Sequence, residues 1–256
     1  MGKDIYIGVN GVARRIKDIY IGVNGVARRV TAGFEGVNDV ARLFYQPVWY
    51  LASGLTNANV IAAFRFKGAG SIDTAMTDVS GHGISLERYG VTFDNNAGFI
   101  FNGLNHINAN IHTFESCVVR YSDVTPTNGS PGPSAPLVPM SRNRFIAASL
   151  YYRAGWNTTL NPCVIYNGVI YYSNAGELRN GVLGTSGSSL FINGNQVATS
   201  ASGIQESNPV YRTLGWGRIR EDTTYISHRK IQAIVFYNIA LTAVQQKQLY
   251  NQIIAL

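Results

Sequence analysis

The segment KDIYIGVNGVARRI, residues 3–16, is followed at once by KDIYIGVNGVARRV, residues 17–30, and then by a drifted third copy, TAGFEGVNDVARLF, residues 31–44. A fourteen-residue period rules out an ordinary globular core for this region, because one unit is too short to bury a face of its own. In the first unit, Ile5-Tyr6-Ile7-Gly8-Val9 and Val12-Ala13-Arg14-Arg15-Ile16 flank Asn10-Gly11. A type I′ turn needs positive φ at both central residues, and Asn-Gly supplies it. The spacing predicts an antiparallel hairpin with Val9 opposite Val12, Ile7 opposite Arg14, Tyr6 opposite Arg15 and Ile5 opposite Ile16. The second unit repeats this around Asn24-Gly25, setting Tyr20 against Arg29. The third carries Asn38-Asp39 at the turn, Phe34 for the tyrosine, and Leu43 and Phe44 for Arg15 and Ile16, as a junction to the rest of the chain.

Short repeats gain stability by stacking on neighbours or on the same segment of another chain. The array therefore reads as an assembly or docking segment, with Tyr6, Arg15, Tyr20, Arg29 and Phe34 as its contact residues. Arginine stacked on tyrosine across a hairpin accounts for these cations without nucleic acid.

Charge and hydropathy narrow the remaining classes. The net charge is +7. No stretch approaches the ~18 uninterrupted apolar residues that span a bilayer. The N-terminus lacks the apolar core of a signal peptide, and Tyr6 breaks the myristoylation pattern. A cytosolic protein, or one that leaves by lysis or within an assembled particle, is expected. Cys117 and Cys163 are too few for a disulfide framework and are expected to be buried, inert thiols.

Beyond a connector at 45–59, short apolar runs alternate with turn signals from Val60 onward: NVIAAFRF, GVTFDN, GFIFNG, FESCVVRYS, NRFIAASLYYR, CVIYNGVIYYS, SLFINGNQVATS and YRTLGWGRI. That number of short runs predicts an antiparallel two-sheet sandwich over 60–256. Asn167-Gly168 and Asn193-Gly194 are placed as hairpin turns. Five of the eight prolines crowd into 125–140, which predicts a long surface loop there. Thr242 and Gln245 have capping-box spacing for one C-terminal helix, with Leu249 and Ile253 on its apolar edge.

The order of these segments resembles the concanavalin A-like, laminin-G-like family of lectin sandwiches. The resemblance rests on Asp78, Ser80, Gly81 and Gly83 in a D-x-S-G-x-G turn and on Phe191, Asn193 and Gly194 in an F-x-N-G hairpin. It rests also on Tyr237, Asn238, Leu241 and Thr242 ahead of the final helix. Cys117 stands where the family often has tryptophan. The resemblance implies an all-β chain: hairpin repeats at 1–44, then a concanavalin A-like jelly-roll sandwich closed by one helix. The tandem YIGVNGVAR-type units of the leader resemble those ahead of such domains in virion and tail-associated proteins of bacteriophages and prophages. That likeness implies a tail-associated or capsid-decorating structural protein with other virion proteins as partners. A homotrimer is expected, since a three-fold axis lets short hairpins bury a common face, and no nucleic acid or membrane partner is expected.

Carboxylates are scattered rather than alternating as E-x-D-x-E, and nucleophile-elbow, phosphate-loop and metalloprotease patterns are absent, so a non-enzyme is expected. For glycan binding, an aromatic platform with amide and cationic neighbours points to Trp156 with Asn157 and to Trp216 with Arg218. Calcium is the candidate cofactor, with Asp73, Asp78 and Asp94 as loop ligands of the kind the family uses. The leading expectation is a virion protein that displays a lectin-like domain to host or mucosal glycans. A purely structural cementing protein and a bacterial glycan-binding protein are the alternatives.

Overall fold

In the computed structural model, Tyr6–Val9 pairs antiparallel with Val12–Arg15, placing Val9 opposite Val12, Ile7 opposite Arg14 and Tyr6 opposite Arg15. Tyr20–Val23 and Val26–Arg29 pair in the same register, with Tyr20 opposite Arg29. In the third unit Gly33–Val37 pairs with Val40–Tyr45, and Phe34 lies opposite Leu43 after a register shift at Gly33. Each hairpin is a two-stranded sheet of its own. The expected pairing of Ile5 with Ile16 lies outside the described residues.

The structure describes residues 6–9, 12–15, 20–23, 26–29, 33–37, 40–45, 48–101, 105–109, 111, 113–126, 135–141, 144–151, 160–167, 169–175, 178–202, 213–214, 217–220, 223–225 and 227–256. For those within 6–45, 125–161 and 202–228, and for 165 and 170, it describes the backbone alone. The chain divides into two units, Met1–Trp49 and Tyr50–Leu256.

The second unit is built around the strand Ser227–Tyr237, which pairs with Ser116–Pro126 on one side and with Gly98–Phe101 and Val60–Arg65 on the other. Gly181–Ser186, Ser189–Ile192 and Asn195–Val197 extend this sheet beyond Ser116–Pro126, and Thr92–Asp94 extends it beyond Gly98–Phe101. A five-stranded sheet runs in the order Ala135–Ser141, Arg144–Tyr151, Leu160–Tyr166, Val169–Tyr172 and Ser200–Ser202. A three-stranded sheet sets His106–Ala109 between Leu86–Tyr89 and Thr213–Leu214. Side chains of these three sheets meet in one buried cluster: Phe64, Phe99, Val119 and Phe236 from the large sheet, Ile107 from the small one, and Val164 from the five-stranded one. The fold is thus an antiparallel β-sandwich closed by one C-terminal helix, as the sequence predicts. Phe66 meets Phe99 edge-on at 4.9 Å, and each such buried ring stabilises the fold by about 1.5–3 kcal/mol.

Period 2 divides the strand Ser116–Pro126 into two faces. Cys117, Val119 and Tyr121 enter the core cluster. Arg120, on the opposite face, donates through Nη1 to the Ile253 carbonyl of the C-terminal helix at 3.0 Å. That helix, Ala243–Ile254, starts on the capping box expected of it. Gln245 N donates to Thr242 Oγ1 at 3.2 Å, and Thr242 N donates back to Gln245 Oε1 at 2.9 Å. Its buried face is Gln246, Leu249 and Ile253.

The two later Asn-Gly turns fall where expected, with Tyr166 opposite Val169 and Ile192 opposite Asn195. Asn167, Asn193 and Gly194 have φ of 50°, 50° and 75°, the positive values a type I′ turn requires. The proline-rich stretch departs from expectation. It is not loop throughout: one strand runs on to Pro126, and Ala135–Ser141 is a strand containing Pro136 and Pro139. The physical reason is position, since Ala135–Ser141 is the edge of its sheet and its register shifts beside both prolines, where a missing N–H costs no ladder bond.

The segment entering the sandwich is tied down along its length. Tyr237 Oη donates to the Tyr50 carbonyl at 2.8 Å, and Gln252 Nε2 to the Leu51 carbonyl at 3.1 Å. Ser53 N donates to Gln248 Oε1 at 2.8 Å, and the Ser53 carbonyl accepts from Gln245 Nε2 at 3.2 Å.

Candidate functional site

The small sheet exposes a face made by alternation. In the register of Leu86–Tyr89 against His106–Ala109, Tyr89 lies opposite His106 and Glu87 opposite Asn108. Leu86 and Ala109, one residue out of phase, are buried. The outward positions are therefore Glu87, Tyr89, His106 and Asn108. Tyr89 is 47% exposed, and its ring stacks on the His106 imidazole at 4.7 Å with 12° between planes. Tyr89 Oη donates to Glu87 Oε2 at 3.1 Å. That hydrogen bond and the carboxylate charge push the Tyr89 phenol up, burial adds to it, and the Asn108 side chain opposes it. The result is an aromatic platform edged by a carboxylate, an amide and an imidazole, held by strand backbone. Such an arrangement can stack an apolar ring face while accepting and donating hydrogen bonds at its rim.

On the other side of the same strand an open groove of about 630 Å³ is lined by Gly70, Ser71, Ile72, Arg88 and 90–93. Arg88 Nη1 donates to the Val91 carbonyl at 2.7 Å, and Asn105 Nδ2 donates to the Gly90 carbonyl at 2.8 Å. These bonds fix the turn that carries the chain from Leu86–Tyr89 into Thr92–Asp94. Gly90 has φ of 68°, and a Cβ there would come within 3.1 Å of Asn105 Oδ1.

The candidates read from sequence are distributed differently. Trp156, Asn157 and Trp216 lie outside the described residues, and Arg218 is described only as backbone in the strand Gly217–Arg220. Tyr6, Arg15, Tyr20, Arg29 and Phe34 are likewise placed by backbone register alone. Asp78 is 8% exposed, and its Oδ1 accepts from Ala63 N, Ser80 N and Ser80 Oγ at 3.0, 3.0 and 2.6 Å. Its Oδ2 accepts from Ile84 N at 3.3 Å. Asp94 Oδ1 accepts from Asn96 N and Ala97 N, and Asp73 sits exposed in the first turn of the short helix Ile72–Ala75. Two of the three carboxylates are thus bonded to backbone N–H groups. Among the described residues no group of three or more His, Cys, Asp or Glu is arranged to hold a metal ion.

Glu87, Arg88, Tyr89, His106 and Asn108 are the site residues that sequence reasoning missed. HINA does alternate polar and apolar, which was the available signal, but a four-residue run is weak beside the aromatic-rich strands.

No protein-family model matches this chain. No curated protein matches it either. Among solved structures it is similar to a Trypanosoma rangeli sialidase, at 14% identity and TM-score 0.47, over 75% of this chain and 32% of that one. It is similar also to the receptor binding domain of botulinum neurotoxin type G, at 12% identity and TM-score 0.43, over 75% of this chain and 51% of that one. The receptor binding domain of botulinum neurotoxin mosaic serotype C/D gives 15% identity and TM-score 0.42, over 76% and 51%. The chain spans about a third to a half of the length of these structures.

Proposed function

We propose that this chain is a non-enzymatic glycan-binding protein whose sandwich holds sugar on the outward face of its small sheet. The observation that carries this reading is the Tyr89–His106 stack flanked by Glu87 and Asn108. A pyranose offers an apolar C–H face and a rim of hydroxyls. The stack supplies the first contact, and the carboxylate and amide supply the second. Only Glu87 among these four is a carboxylate, and it already accepts from Tyr89, whereas glycoside hydrolysis usually draws on a pair.

The setting we propose is a bacteriophage or prophage virion, tail-associated or on the capsid surface. Its support is the tandem leader, whose three units each form a hairpin in closely matching registers. Three small sheets gain most by burying their faces against other copies or other virion proteins, and a homotrimer satisfies that need with one repeated contact.

The test is binding of the full chain to a panel of cell-wall and mucin glycans. Saturable binding to at least one glycan, weakened about tenfold or more by Tyr89→Ala with the fold intact, supports the reading. Binding that Tyr89→Ala leaves unchanged removes the platform from it. No binding by folded protein favours the cementing role instead.

A further inference from the structure

We infer that the groove beside Arg88 is a second, separate subsite that takes the anionic group of an acidic polysaccharide, a carboxylate or a phosphodiester. Arg88 and Tyr89 are consecutive, so their side chains leave the strand on opposite faces and the groove is not part of the platform. The Arg88 guanidinium has five N–H donors. One nitrogen, Nη1, is held by the Val91 carbonyl at 2.7 Å, which fixes the fork, and among the described residues no carboxylate pairs with it. Its sequence neighbour Glu87 lies on the other face and accepts from Tyr89. A cation oriented by one backbone bond, with donors left over and no counter-charge among the described residues, is arranged for an anion from outside.

The rest of the groove fits a sugar acid better than a bare ion. Ile72, Val91 and Phe93 add apolar lining, and Ser71 and Thr92 carry hydroxyls. Gly70, with φ of 85°, has nothing within 4 Å of the place a Cβ would occupy, so a ligand can reach the backbone there. A volume of about 630 Å³ is of the size that encloses one or two sugar rings. The overall charge of +7 draws polyanions toward the molecule.

The experiment compares full-length protein binding to an oligogalacturonate, to the methyl ester of the same oligosaccharide, and to an oligo(glycerol phosphate). The ester keeps the sugar and removes the charge. At least one anionic probe is expected to bind about tenfold or more tighter than the ester, with that excess lost in Arg88→Gln and reduced by salt. Which of the two anions binds tells carboxylate from phosphodiester. Because Arg88→Gln also removes the bond to Val91, Thr92→Glu is the second variant; it sets a carboxylate in the groove with that bond kept, and it must abolish the same excess. No anionic probe binding tighter than the ester, an excess that either variant leaves in place, or no binding of either anion overturns the inference. Tyr89→Ala separates the two readings: it is expected to weaken the ester while leaving the ratio of acid to ester unchanged.

Discussion

The side-chain oxygen of Gln246 occupies the space that a Cβ on Gly184 would need. Gln246 Nε2 donates to the neighbouring Thr185 carbonyl at 2.9 Å. The C-terminal helix thus approaches the large sheet at Gly184, where the strand Gly181–Ser186 has no side chain, and a buried amide fills the gap. Gly184→Ala is expected to destabilise the protein by about 1–3 kcal/mol, because Gln246 must leave its bond or the helix must shift. Gln246→Ala alone costs a similar amount, and the double variant costs less than the sum of the two. Urea denaturation of the three variants measures the coupling, and strict additivity would contradict it.

Asp78 gathers four donors from three stretches of chain, Ala63, Ser80 and Ile84, and so holds a turn against the strand Val60–Arg65. Asp78→Ala leaves those donors without acceptors, and a loss of about 3 kcal/mol or more is expected. Asp78→Asn is milder, since its amide oxygen can still serve the three donors now on Oδ1. Because those donors already hold the carboxylate, EDTA is expected to leave the melting temperature of the wild-type protein unchanged. A calcium-dependent rise in melting temperature that Asp78→Asn abolishes would restore Asp78 as a ligand.

Alkaline stability is governed by weak acids on and around the central strand Ser227–Tyr237. Burial pushes the Tyr121 and Tyr237 phenols and the Cys117 thiol well up, and Tyr50 is raised by burial and then by Asp78. In the unfolded chain these groups lose their protons near their ordinary values, about 10 for tyrosine and about 9 for cysteine. Above those values the unfolded state binds fewer protons than the folded one, so stability falls as pH rises. Arg229, buried over the Phe101 ring, is pushed down to about 9 and acts in the opposite sense from there upward. Four groups against one give a net loss. Cys117 and Arg229 offset each other above about pH 9, so stability is expected to stay level up to about pH 10 and then to fall, with Tyr121→Phe lowering the slope by up to about 1.4 kcal/mol per pH unit. A slope unaffected by Tyr121→Phe would count against this account.

Both cysteines are buried, and the Cys117 thiol is shifted away from its reactive thiolate form. Native protein is expected to show no fast-reacting thiol toward a disulfide reagent, and two after denaturation in guanidinium. A thiol titrated quickly in the native state would show that one of these sites opens.

The sequence made local chemistry legible and long-range chemistry much less so. Asn-Gly turns, the capping box of Thr242 and Gln245, and the D-x-S-G-x-G turn were all readable because each is fixed by residues a few positions apart. The prolines of 135–141 misled, because proline's cost in a strand depends on whether the strand is an edge, and pairing partners decide that. The platform stayed hidden for the same reason. Tyr89 and His106 are seventeen residues apart, and only the register of two four-residue strands stacks their rings. The groove joins Gly70–Ile72 to Arg88 and 90–93 through the course of the chain between them, which no short motif records.

The bonds that hold Tyr50 through Ser53 have a mechanical meaning. Any pull transmitted along the chain from the repeats must enter the sandwich at Tyr50. There it meets Tyr237, at the end of the strand Ser227–Tyr237, and then Gln252, Gln248 and Gln245 of the final helix. Tension is therefore shared between the most heavily paired strand of the large sheet and the helix that closes it, rather than unzipping an edge. A domain anchored this way resists a pull on its entering chain through its central strand and its closing helix together.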